Sequence, residues 1–118
     1  MRKKAFDYLL KRIKKGNVNE IRATIKNYET PDSLLYRGMK KAFVPDMVAY
    51  YPEKRDFFSI ENELTKKSIS DNIAKWILFG LEARKHSGNF FIVVPEAKED
   101  RFRELVDSKQ ISAEIISI

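Results

Sequence analysis

A chain of 118 residues has room for one domain with one core. It has no cysteine, which excludes disulfides, thiolate zinc sites and Cys nucleophiles, and no apolar run nears the ~20 residues that span a bilayer. The formal charge of +6 points towards an anionic partner, of which nucleic acid is the commonest, and Lys3, Lys4, Lys11, Arg12, Lys14 and Lys15 crowd the start of the chain. The basic N-terminus lacks the apolar stretch of a secretory signal, so a cytoplasmic protein with no membrane association is expected.

Phe6, Leu9, Leu10 and Ile13 follow helical spacing, and Gly16-Asn17 ends that pattern, giving a basic N-terminal helix over residues 1–16. Val18, Ile21, Ile25 and Tyr28 continue the spacing and predict a second helix, with Asn17-x-x-Glu20 as its capping box. Thr30-Pro31-Asp32-Ser33 reads as a turn, and a short strand is expected near Leu34–Arg37. Val44–Tyr51 and Asp56–Leu64 are extended segments, and Pro52–Arg55 between them reads as a hairpin loop.

Ile69, Ile73, Trp76, Ile77, Gly80 and Leu81, widened by Leu78 and Phe79, predict a helix packed on more than one side. Phe90–Val94 is continuously apolar, as befits a central strand covered on both faces. A helix around Phe102, Leu105 and Val106 and a strand over Ala113–Ile118 close the chain. The expected fold is α/β in a single domain: a mixed sheet of four or five strands flanked by helices, an antiparallel hairpin followed by βαβ units.

A hairpin loop at 52–55 pairs Tyr51 with Asp56 and so places Asp46 directly opposite Glu61, on one face, with Cβ atoms ~5 Å apart. Glu63 points to the same face, so three carboxylates are expected to converge. Like charges so placed need a shared proton, a nearby cation or a bound metal, and oxygen-only ligands favour Mg²⁺ or Mn²⁺. Otherwise the register slips or the acids face water.

Val44-Pro45-Asp46, followed by Glu61-Asn62-Glu63 at a strand end, resembles the PD-(D/E)XK nuclease superfamily. The resemblance implies a restriction-endonuclease-like core of helix, three strands, helix and strand over residues 17 to about 95, within a nuclease-like region 17–118. It also implies a metal ion held by Asp46 and Glu61 with the Asn62 carbonyl, and in some members by a further acid on the preceding helix, here Glu20. Glu63 stands where the family has lysine; it would act as a third ligand or general base, and Lys66 or Lys75 would supply the missing positive charge. The function so implied is metal-dependent hydrolysis of nucleic acid, DNA in the first instance, by a chain that a homodimer would help to grip a duplex. Two other readings stay open: a catalytically silent nucleic-acid-binding module on the same fold, and a protein-interaction subunit.

Overall fold

The computed structural model describes all of residues 1–118. Its elements are α1 (Arg2–Lys14), β1 (Glu20–Ala23), β2 (Met47–Tyr50), β3 (Arg55–Ile60), α2 (Ile69–Lys85), β4 (Phe90–Val94), α3 (Glu99–Ser108) and β5 (Glu114–Ser117), with one 3₁₀ turn at Glu96–Lys98. The strands form one sheet in the order β1-β2-β3-β4-β5. The first three pair antiparallel and the last two add in parallel. Parallel neighbours cannot be joined by a tight turn, and α2 and α3 are the two crossovers.

All five residues of β4 are buried, so the sheet must be covered on both sides. One layer packs Val48, Phe57, Phe90, Ile92 and Val94 against Trp76 and Phe79 of α2 and Phe102 and Val106 of α3. The other packs Met47, Ala49, Phe58, Phe91 and Val93 against Ala5, Phe6, Leu9 and Ile13 of α1. The basic helix α1 is therefore an integral part of the core. No helix is long and apolar enough to cross a membrane.

The second helix expected over Val18–Tyr28 is absent: Glu20–Ala23 is strand β1. Val18, Ile21, Ile25 and Tyr28 do share one surface, packing on the α1 layer, but they reach it from a strand followed by a turn. Ala23 N–H donates to Glu29 O at 2.9 Å, and Asn27 turns the chain at a φ of 77°. Asn tolerates that left-handed conformation better than most residues. In place of the strand expected near Leu34–Arg37 there is a single antiparallel bridge, Leu34 with Phe43.

The hairpin is tighter than the sequence suggests. Tyr51 N–H donates to Lys54 O at 2.9 Å, leaving Pro52-Glu53 as the turn, and Tyr50 pairs with Arg55. The ladder runs on to Met47–Phe58, so Asp46 falls opposite Ser59 and not opposite Glu61. A shift of two residues preserves the face of every side chain.

At the helix–sheet corner, a Cβ on Gly88 would lie 1.7 Å from Arg55 O. Gly88→Ala is expected to lower stability by about 3 kcal/mol through forced backbone displacement. The control Gly16→Ala, whose Cβ meets nothing closer than 3.4 Å, should lie within ~1 kcal/mol of the native protein in urea denaturation.

Candidate functional site

The site lies at the end of β3 remote from the hairpin. Strand β3 stops at Ile60, and Glu61 is the next residue, with its carboxylate turned into the layer beneath α2. Because α2 runs back from that end of the sheet, its first half meets Glu61. Trp76 Nε1–H donates to Glu61 Oε2 at 3.0 Å, the Ser59 hydroxyl donates to the same oxygen at 2.7 Å, and Lys75 Nζ lies 2.7 Å from it. Ser59 and Glu61 are two apart in an extended chain, so they share a face. Glu61 is only 8% exposed; an ionised carboxylate there needs such partners to offset its lost hydration.

Asp46 immediately precedes β2. Its Oδ2 accepts the Ile60 N–H at 2.6 Å, and its Oδ1 pairs with Arg2 of α1 at 2.8 Å. Its backbone carbonyl accepts the Thr24 N–H at 3.0 Å, so Asp46 ties together the ends of β1, β2 and β3. Arg2 also donates to the Thr24 hydroxyl at 2.5 Å.

The other expected site residues are distributed differently. Three converging carboxylates are not formed; no group of three acids or histidines surrounds one point. Glu63 lies beyond the end of β3, is largely exposed, and pairs with Lys98 at 3.4 Å. Lys98 also donates to the Asn62 carbonyl at 3.0 Å. Glu20 is not on a helix: it pairs with Tyr50 at the hairpin end of the sheet, away from Asp46, and is held by Arg22 at 2.9 Å. Lys66 makes no ion pair and lines a groove against α3, whereas Lys75 is the lysine that reaches Glu61.

Each acid of the motif thus has its own cation: Arg2 for Asp46, Lys75 for Glu61 and Lys98 for Glu63. Of these, the sequence pointed only to Lys75. Arg2 and Lys98 come from segments far along the chain, and no local spacing signals them.

The donor set is compatible with a hard divalent ion. The carboxylate oxygens of Asp46 and Glu61 and the Asn62 carbonyl, which already accepts from Lys98, include neither sulfur nor imidazole. All three contacts of Glu61 fall on Oε2, which leaves Oε1 free of them. Arg2, on a half-exposed side chain, is the group that would have to yield at Asp46.

A second polar cluster fastens the 24–46 segment to α2. Tyr36 donates to Glu82 Oε2 at 2.6 Å, and His86 Nε2 lies 3.2 Å from Glu82 Oε1 and 3.4 Å from the Arg55 guanidinium. Partial burial and the hydrogen bond to Glu82 push Tyr36 up to about 12. Burial of Glu82 acts to raise its carboxyl, but the hydrogen bonds from Tyr36 and His86 outweigh it and hold the group below its usual range.

Compared with known proteins, the chain matches no family model, no curated protein and no solved structure.

Two outcomes follow from these contacts. Lys75→Met should cost about 3 kcal/mol by leaving the Glu61 charge buried without its cation, and adding Glu61→Gln should recover most of that in chemical denaturation. The Tyr36 contribution should be complete below the ordinary tyrosine pKa of 10.0 and lost as pH rises towards about 12. Tyr36→Phe should remove that alkaline loss and lower stability at neutral pH by about 1 kcal/mol, as read from thermal melts across the range.

Proposed function

We propose that the protein is a metal-dependent nuclease acting on DNA, with its centre at Asp46 and Glu61. The observation that carries this reading is Lys75 Nζ lying 2.7 Å from Glu61, at the end of the strand that follows the Asp46 strand. A positive charge beside the acid is what the missing family lysine would provide, and here it comes from α2. The order helix, three antiparallel strands, helix, parallel strand is the order that the resemblance implies, but the helix is α1 (Arg2–Lys14) and β1 falls where that helix is expected.

Asp46, Glu61 and the Asn62 carbonyl would hold Mg²⁺ or Mn²⁺. When bound, the ion would supply positive charge against the phosphate under attack and make water a better nucleophile. Lys75 pairs with Glu61 at 2.7 Å and presents an ammonium at the edge of the centre. Trp76 and Ser59 fix the rotamer of Glu61, so the carboxylate is aimed before any ligand arrives. Glu63 and Lys66 lie at the margin, where the first can take a proton and the second can meet a phosphate. On α1 and at its C-terminal cap, Lys4, Lys11 and Lys15 flank the exposed ring of Tyr8 at helical spacing and form a track for the backbone.

A silent nucleic-acid-binding module is the second reading, favoured by the cations that already neutralise all three acids. The two are separated by incubating linear, flapped and four-way DNA with Mn²⁺. A nuclease should cleave at least one of them, lose cleavage with EDTA, with Asp46→Asn and with Lys75→Met, and keep metal-free DNA binding that falls steeply with salt. Salt-sensitive binding without cleavage of any substrate would establish the silent module instead.

A further inference from the structure

A groove of about 450 Å³ lies between the segment that leaves the candidate centre and helix α3. Its floor is aliphatic, formed by Leu64, Ile69 and Leu105. Leu64 and Leu105 pack against the core beneath α2, so the floor is anchored and presents a firm apolar surface. Arg101, Glu104, Leu105 and Ser108 line one wall at the spacing of a single helix face. The groove adjoins the candidate centre along the chain: Glu61, Asn62 and Glu63 immediately precede Leu64, and Lys98, which grips Asn62 and Glu63, lies three residues before Arg101.

The polar groups of the groove differ in how they are engaged. The Thr65 hydroxyl is paired with Ser68 at 2.6 Å, and Ser108 donates to Leu105 O at 3.1 Å. Lys66, Arg101 and Glu104 have no ion-pair or side-chain hydrogen-bond partner in the chain, although opposite charges stand close by along the same groove. An apolar floor of this size with two uncommitted cations at its rim suits a flat base carrying phosphates. A continuous duplex offers no free base face, whereas a single strand does.

We propose that this groove binds an unpaired nucleotide of single-stranded DNA next to the candidate centre. The base lies on Leu64, Ile69 and Leu105, and Lys66 and Arg101 meet the flanking phosphates. Glu104, an acceptor without a donor, takes a hydrogen bond from an exocyclic amino group, which favours cytosine or adenine over thymine. The proposal rests on the nucleic-acid reading above and specifies the form of substrate: a flap, overhang or junction with unpaired residues.

The test uses the full chain with isotopically labelled methyl groups, titrated with the hexanucleotides dC6 and dT6 without metal. Methyl signals of Leu64, Ile69 and Leu105 should move with dC6, and dC6 should bind more tightly than dT6. Lys66→Glu combined with Arg101→Glu should weaken dC6 binding by roughly tenfold or more while leaving the methyl spectrum of the free protein folded. Glu104→Leu should remove the preference for dC6 over dT6. Absence of methyl shifts at saturating dC6 would overturn the groove proposal even if Mn²⁺-dependent cleavage of duplex DNA were found. Shifts with no cleavage of any substrate would support the groove while removing the nuclease reading.

Discussion

Strand β4 is the constraint on which the rest of the structure depends. Phe90, Ile92 and Val94 go to one side of the sheet and Phe91 and Val93 to the other, and every residue of the strand is buried. Removing that much apolar surface from water on both faces requires a cover on each side. Helix α1 supplies one cover and α2 with α3 the other. Because β3 and β4 are parallel, the chain must return along the sheet between them, and the return brings the start of α2 over the end of β3. The neighbourhood of Glu61 with Lys75 and Trp76 is a consequence of that crossover.

Electrostatics then decides how the sheet end can carry its acids. A buried carboxylate loses hydration worth several kcal/mol, and only good geometry restores it. Glu61 has an indole N–H, a hydroxyl and an ammonium; Asp46 has a backbone N–H and a guanidinium. Asp46 and its neighbours also close the sheet where β1 and β2 meet, so its carboxylate fastens the ends of three strands. The arrangement explains how acids at the end of a sheet can coexist in the folded chain by themselves, each matched to a cation from a different helix or turn.

The opposite end of the sheet is organised by other means. Tyr36, Glu82 and His86 join the 24–46 segment to α2, and Arg55 lies within reach of His86. On the edge strand, Arg22 lies over the ring of Tyr50 and binds Glu20, whose acid group is thereby committed to the hairpin end. The basic residue of β1 is held in place by these contacts, whereas the exposed lysines of α1 and the cations of the α3 groove are unengaged.

The strongest periodic signals in the sequence stand unchanged in the structure. The apolar stripes of α1 and α2, the unbroken run Phe90–Val94 and the final helix and strand are all where pattern places them. These are elements whose burial is continuous enough to stamp a period on the residues. Where burial is brief the period misleads: Ile21 reaches the core from a four-residue strand, and Ile25 and Tyr28 reach it from a turn, yet with Val18 they imitate a helix face. The hairpin register depended on whether Lys54 and Arg55 belong to the turn or to the ladder, which their charge does not reveal. Sequence alone did place Asp46 and Glu61 at the ends of neighbouring strands, but their carboxylates meet different layers, Glu61 beneath α2 and Asp46 beside Arg2 of α1. Which cation meets which acid was decided only by the tertiary structure. Arg2 and Asp46, or Lys98 and Glu63, are brought together by the stacking of α1 and α3 on a finished sheet, and no spacing along the chain encodes such a meeting.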